Sequence, residues 1–294
     1  MKARPIAIIG AGVVGTSVGQ VLESRGYKIA AVAARTQASL DRASAYINAR
    51  ATTDIVEAAK MGELIFITTP DDKIKEVTDE IAHNGGFDVN DIVFHMSGVL
   101  PLNVLDAAKA RDAQVGSIHP MQTFAAVDGA IAALPGSVFG VTAADEAVSV
   151  AQEIIRAFGG EMIVIADKDK TLYHAAAVVV SNYLITLVHY AEGLYNEIGI
   201  PEEMARRAFI PLLKGTVINL AHHKPATALT GPIARGNVGT VRRHLAEIEK
   251  VVPQAASLYR VMGAYTVKVA TEKGTIDEET AHELLRALRG GGND

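Results

Sequence analysis

From Pro5 to about Ala166, short β-branched runs alternate with helix-length stretches that carry polar residues on one face. The runs read "IAIIG", "KIAAVAA", "ELIFITT", "DIVFHMS", "AQVGSIH", "SVFGVTA" and "EMIVIA". Segments this continuously apolar suit strands covered on both faces, and the helical connections between them predict parallel crossovers. The expected class is α/β, a doubly wound, mostly parallel sheet over residues 1–166. After Ala166 only helical spacing remains, near residues 170–198, 202–222, 238–250, 254–273 and 277–289, which predicts an all-helical domain over residues 167–294. Pro201 and Pro253 stand at first-turn positions, and Thr275 with Glu278 reads as a capping box. The first helix, "HAAAVVVSNYLITLVHYAEGL", is apolar on most faces, which suits burial against other helices, including those of a second subunit. The terminal "GGGND" is expected to be a disordered tail.

Composition narrows the partners. Of the 294 residues, 49% are apolar and 21% charged, the balance of a globular protein with a sizeable core. The formal net charge of -5 and scattered basic residues argue against nucleic acid as a partner, because phosphate neutralisation needs a basic face. No cysteine is present, so disulfides and thiolate chemistry are excluded. The opening "MKARPIAIIGAG" breaks into glycines before any cleavage site. No run reaches ~18 uninterrupted apolar residues, so no membrane span is expected and the cytoplasm is the expected location.

The first run leads into "GAGVVG", in which Gly10, Gly12 and Gly15 enclose Val13 and Val14 at the start of a helix. Gly10 permits a tight turn, Gly12 lets backbone approach a pyrophosphate, and Gly15 allows close helix–strand packing. In an α/β context that spacing predicts a dinucleotide site. The second strand ends in Arg35 and Thr36 where an acid would accept NAD ribose hydroxyls, so a 2′-phosphate and NADP(H) are expected. Thr36 also reads as a helix N-cap. Thr69 and Pro70 end another strand at the same edge, as cofactor neighbours, and Asp71 and Asp72 are expected to cap the next helix.

Two further strands finish in polar residues, "FHMSG" with His95, Ser97 and Gly98, and "SIHPMQTF" with Ser117, His119 and Gln122. Their ends converge where a nicotinamide would lie. His95, inside its strand, reads as a satisfied core histidine. His119, placed beyond its strand, is expected to face the crevice. In the helical part, Lys170 and His174 share a helix face, with Asn182 two turns further on roughly that face. Hydride delivery to a carbonyl or imine needs a proton donor and a hydrogen-bond partner, which His174 or Lys170 with Asn182 would supply. Lys170 reads equally as a solvated first-turn residue. In "ALTGPIARGNVGTVRRHL", Thr230 and Arg235 are candidate substrate contacts, Arg235 as a clamp on a carboxylate or phosphate. The competing reading is an ordinary connector with one exposed arginine.

With these segments assembled, the chain resembles the Rossmann-like NADP-binding proteins that carry a C-terminal domain of unknown function, number 2520. The resemblance runs from "GAGVVG" through "HMSG", "GSIHPMQTF", "YHAAAVVVSNYLITL" and "LTGPIARGN". More distantly it is similar to the β-hydroxyacid dehydrogenase superfamily, including pyrroline-5-carboxylate and ketopantoate reductases. The resemblance implies an NADPH-dependent reductase, commonly a homodimer through its helical domain, acting on a small anionic substrate. A 2-oxo acid such as ketopantoate is the first expectation and a cyclic imine the second. The superfamily's lysine, one turn before the asparagine, is replaced here by Val178, with His174 the nearby titratable group. That difference leaves a non-catalytic NADP(H) redox sensor as the alternative.

Overall fold

The computed structural model describes residues 4–290, so Met1 to Ala3 and most of the "GGGND" tail lie outside the described residues. In chain order the elements are β1 (Ile6–Ile9), α1 (Val13–Ser24), β2 (Ile29–Ala33), α2 (Gln37–Ser44), β3 (Arg50–Thr52), α3 (Ile55–Ala59) and β4 (Leu64–Ile67). They continue with α4 (Asp71–His83), β5 (Ile92–His95), α5 (Asp106–Lys109), β6 (Gln114–Pro120), α6 (Val127–Ala133), β7 (Val138–Ala143), α7 (Asp145–Phe158) and β8 (Glu161–Val164). The helical part consists of α8 (Lys170–Glu197), α9 (Glu202–His222), α10 (Pro225–Ala228), α11 (Val238–Val251), α12 (Ala256–Lys273) and α13 (Glu278–Arg289).

The strands form one sheet in the order β3-β2-β1-β4-β5-β6-β7-β8. Alternation along each strand divides its side chains between two faces. Ile6, Ile8, Leu64 and Phe66 enter one core with Leu22, Val150 and Phe158. Ala7, Ile9, Ile65 and Ile67 enter the other with Ile74 and Ile81. The order reverses between β1 and β4, which opens a crevice at their carboxyl ends, the place where open α/β sheets bind ligands.

Three expectations for the sheet are corrected. β3, "RAT", is an edge strand of mixed exposure and has no apolar run by which to recognise it. β6 and β7 pair antiparallel, Pro120 opposite Phe139, instead of through a parallel crossover. The connection through α6 leaves and re-enters the sheet at the same end, where Met121 N–H donates to the Val138 carbonyl at 2.9 Å. β8 is an edge strand with Val164 65% exposed, not one covered on both faces.

Two compact units divide the chain between Ser181 and Asn182, within α8. The second unit has its own core, built by Val241 and Leu245 of α11, Val267 and Ala270 of α12, and Leu284 and Leu288 of α13. The cap of α13 is Asp277, whose carboxylate accepts from Thr280 N–H at 2.8 Å. This replaces the Thr275–Glu278 box, because an aspartate directly before the helix reaches its free N–H groups. Apolar side chains of α8 and α9 lie on the surface of the chain: Val180 is 74% and Leu212 68% exposed. The segment Asp167–Glu197 contains an 18-residue window of mean hydropathy 1.5, long and apolar enough to cross a membrane by length and composition. The expectation that no segment would do so rested on uninterrupted runs, and Ser181, Asn182, Thr186 and His189 interrupt this one.

Candidate active site

The β1–α1 turn is shaped by steric exclusion. Gly10 has φ +121°, and a Cβ there would stand 2.7 Å from the Thr68 carbonyl carbon and 2.8 Å from Thr69 N. Any larger residue would be strained in that region and would collide with the neighbouring strand. Thr68 Oγ1 ties the turn to β4 by donating to the Gly10 carbonyl at 2.7 Å. A Cβ on Gly15 would approach the same carbonyl to 2.1 Å, so helix and turn pack at glycine distance. Gly12 differs from both. Nothing lies within 4 Å of the position its Cβ would take, and it stands at the N-cap of α1 without a side-chain cap. Open space in front of free helix N–H groups, flanked by Val13 and Val14, fits a pyrophosphate.

Arg35 and Thr36 follow β2 at this edge and are exposed. Thr36 caps α2, accepting from Ser39 N–H at 3.3 Å. Lys73 of α4 is paired with Glu76 at 2.7 Å, which leaves Arg35 as the cation at the end of β2. Thr69 Oγ1 is buried without a protein partner. Pro70 holds the N-cap position of α4, which no side chain caps. Asp71 and Asp72 therefore do not cap that helix. Asp71 turns away from the helix end and accepts from Ser97 Oγ at 2.8 Å.

That bond leads into a second cluster. Ser97 Oγ also accepts from the N–H groups of Val99 and Leu100 at 3.3 and 3.1 Å, so its hydroxyl is committed to ordering the loop after β5. Lys170 is 3% exposed, which rules out the solvated reading. Its ammonium donates to Ser117 Oγ at 2.6 Å and to the Ser97 carbonyl at 3.3 Å, joining the start of α8 to β6 and the β5 loop. One turn on, the His174 ring meets His119 edge-on, with centroids 5.6 Å apart. His119 Nδ1 lies 2.9 Å from Tyr173 Oη. Gly98 sets this closeness, since a Cβ there would stand 2.7 Å from His174 Nδ1 and 2.8 Å from His119 Nε2.

His119 belongs to β6, opposite Gly140 of β7, and not to a loop beyond the strand. The ladder extends that far because β6 stays paired with β7 up to Pro120, opposite Phe139. His95 is buried, as expected of a core histidine, but it is only half satisfied. Its Nδ1 accepts from Ser97 N–H at 3.2 Å, which leaves the hydrogen on Nε2, and that atom is buried without a protein partner. His174 Nδ1 is likewise buried and unpartnered. Orphaned buried polar atoms are uncommon, and these two stand beside the same loop. Gln122 turns outward to Ser137.

Burial sets the electrostatics. It pulls the Lys170 ammonium down to about 8, against the Asp167 and Asp71 carboxylates, which favour its charge. Burial, then His174 and Lys170, lower His119 to about 4; burial, then Lys170 and His119, lower His95 to about 3. At neutral pH both imidazoles are uncharged beside a lysine that is largely ammonium. An uncharged imidazole N–H can give a hydrogen bond or a proton to an oxygen that gains negative charge.

Tyr173, Asp71 and Gly140 belong to this cluster although no motif marks their roles. The available signal for Tyr173 is its position three residues after Lys170 and directly before His174. Asn182 of the second unit is exposed. So are Thr230 and Arg235, in a loop where Gly231 and Gly236 adopt φ +100° and +66°. Asn237 caps α11 through Thr240 N–H at 3.0 Å.

Residues 2–120 match a Rossmann-like domain, and residues 137–266 match a domain of unknown function, DUF2520. Protein TM1727 of Thermotoga maritima is 25% identical, with a TM-score of 0.72 over 92% of this chain and 99% of that one. Protein BF3122 of Bacteroides fragilis, provisionally assigned as an NADP oxidoreductase, is 22% identical, with a TM-score of 0.74 over 91% and 99%. A pyrroline carboxylate reductase of Plasmodium falciparum, solved with NADP bound, is 13% identical, with a TM-score of 0.60 over 98% and 99%. No curated protein matches the chain.

Proposed function

We propose that this chain, in which a Rossmann-like domain precedes the domain of unknown function DUF2520, is an NADP(H)-dependent reductase of a small carboxylate-bearing carbonyl compound. The reading is carried by one continuous path along the carboxyl edge of the sheet. It runs from the open turn at Gly12 through Thr69 and Asp71 to Ser97, Gly98 and the paired rings of His119 and His174. The backbone from Gly10 to Gly15 would hold the pyrophosphate, Arg35 and Thr36 the 2′-phosphate, and Thr69 and Pro70 the neighbouring ribose. The NADP in the Plasmodium falciparum reductase supports this choice of cofactor. NADPH, when bound, supplies hydride.

His119 is the group assigned to protonate the product, with His174 as the second contact on the reacting oxygen. Lys170 keeps the loop in register, and burial, then His174 and Lys170, keep His119 uncharged. A carbonyl is favoured over a cyclic imine because hydride addition to a carbonyl leaves an alkoxide that must be protonated. Addition to an iminium leaves a neutral amine that needs no proton. Asn182 and Arg235 offer exposed heads suited to an amide or carboxylate contact, and a raised KM in Arg235→Ala would support that role. The exposed apolar side chains of α8 and α9 suit a homodimer; a monomer, or a vesicle-bound chain, in light scattering would exclude it.

The test is titration with NADPH and NADH, followed by NADPH consumption over a panel of 2-oxo acids and cyclic imines. Turnover of a 2-oxo acid supports the reading, and turnover of a cyclic imine alone reverses the substrate class. Tight NADPH binding with no turnover anywhere points to a redox sensor, the reading that Val178 in place of a lysine favours. Failure to bind either nucleotide sinks both.

A further inference from the structure

The chemistry assigned to His119 leaves a problem of proton supply. An imidazole that gives up its Nε2 proton from the uncharged state would become an imidazolate unless Nδ1 gains a proton at the same time. The atom at Nδ1 is Tyr173 Oη, 2.9 Å away, with the phenol edge-on to the imidazole at a centroid separation of 5.5 Å. Nε2 points to the other side, toward Gly98 and His174. The two nitrogens of this ring therefore face two different groups.

We infer that Tyr173 and His119 form a proton relay in which His119 gives its Nε2 proton to the reduced substrate while Nδ1 takes the phenolic proton of Tyr173. This rests on the reductase reading for its substrate, but not for its geometry. With hydride supplied to the carbonyl carbon by NADPH, the C–O π bond breaks and its electron pair goes to oxygen. His119 Nε2–H then breaks as O–H forms, and Tyr173 O–H breaks as Nδ1–H forms. His119 ends as the opposite neutral tautomer, Tyr173 as phenolate, and solvent returns the missing proton to the phenolate.

The relay takes Tyr173 Oη as donor and His119 Nδ1 as acceptor, which leaves the ring hydrogen on Nε2. Burial raises the Tyr173 pKa, so at neutral pH the phenol is protonated and has a hydrogen to give. Gly140 is what allows this approach, since a Cβ there would stand 2.5 Å from Tyr173 Oη and 2.6 Å from Cζ. Burial first, then His174 across Gly98 and Lys170 one turn earlier on α8, keep His119 neutral, while the Asp71 carboxylate acts on Lys170. A ring held neutral can shift tautomer, whereas an imidazolium already has both nitrogens protonated. Tyr173 is in this scheme a positioning and proton-supplying residue that acts through His119.

The decisive measurement is nitrogen NMR of the cofactor-free chain with labelled histidine. In the parent protein His119 is expected as the Nε2–H tautomer. In Tyr173→Phe, which keeps the ring and loses the hydroxyl, it should become a mixture. Gly140→Ala, which keeps the hydroxyl but displaces it, should have the same effect. A proton on Nδ1 in the parent, or a tautomer unchanged in both variants, overturns the relay whether or not the protein turns over. On a 2-oxo acid substrate, Tyr173→Phe should lower kcat ~100-fold with KM changed less than ~3-fold, and reduce the solvent isotope effect on kcat. An unchanged isotope effect also overturns it. If the tautomers behave as expected and no compound is reduced, the reductase reading fails and the polarised Tyr173–His119 pair stands.

Discussion

At the β1–α1 turn the functional atoms are backbone N–H groups from Gly10 to Gly15, whereas at the ends of β5 and β6 they are side chains from α4, β5, β6 and α8. The first region works by what is absent, Cβ atoms at three positions and any neighbour in front of Gly12. The second works by crowding: His119 and His174 meet across Gly98, Tyr173 reaches His119 over Gly140, and Lys170 ties Ser117 to the Ser97 carbonyl. A backbone site tolerates changes to the side chains around it but not to its glycines. The side-chain site depends on each partner being held by another, so that a small displacement propagates through it.

Substitutions that separate the two regions test this contrast. The largest effect is expected for His119→Gln, which keeps the ring's polarity but not its capacity to exchange a proton. Turnover should fall on the order of 10³-fold with NADPH affinity unchanged, and steady-state kinetics beside a binding titration will measure both. Gly98→Ala comes next. Its methyl group enters the space between His174 Nδ1 and His119 Nε2, and a displacement of about 1 Å at a reacting group costs ~100-fold in kcat. Cofactor binding in this variant should again be untouched, and a parallel loss of NADPH affinity would show that the two regions are mechanically one.

The third prediction concerns pH. His119 and His95 have folded values near 4 and 3, below the ordinary value of 6.5, so the unfolded chain binds more protons than the folded one below about pH 6.5. Stability should decline as pH falls from there toward about 4, with a slope up to about 1.4 kcal/mol per pH unit for each proton. Melting curves of His95→Gln should decline less steeply. The buried Lys170, lowered to about 8, acts at the other end. Between about pH 8 and its ordinary 10.5 the unfolded chain holds the extra proton, so stability should rise with pH there, and Lys170→Met should remove that rise. The smallest effect belongs to the nucleotide end. Arg35→Ala should weaken NADPH about tenfold, the loss of one charged contact, and leave NADH binding as it was. Equal weakening of both would move the 2′-phosphate elsewhere.

The contrast also explains which parts were legible in the sequence. Gly10, Gly12 and Gly15 could be read as a turn because their roles depend on spacing within one turn of chain. His119 and Lys170 could be named as candidates but not evaluated. Lys170 was as readily a solvated residue as a buried one, since nothing in "DKDKTLYH" says that Ser117 and the Ser97 carbonyl wait for it. Asp71 was misread as a cap for the same reason, because nothing near it in sequence says that Ser97 Oγ is its partner. Tyr173 went unmarked because its role comes from His119, on a strand more than fifty residues earlier in the chain.

The sequence by itself determined the α/β alternation, the change to helices after Ala166, the glycine turn and the cation beside it, because those features follow from local periodicity and local sterics. Only the tertiary structure decided the antiparallel β6–β7 pairing, the burial of Lys170, the tautomer of His95 and the meeting of Tyr173 with His119. Hydrogen-bond partnership and desolvation are properties of pairs of groups distant along the chain. No single residue's surroundings in sequence record them.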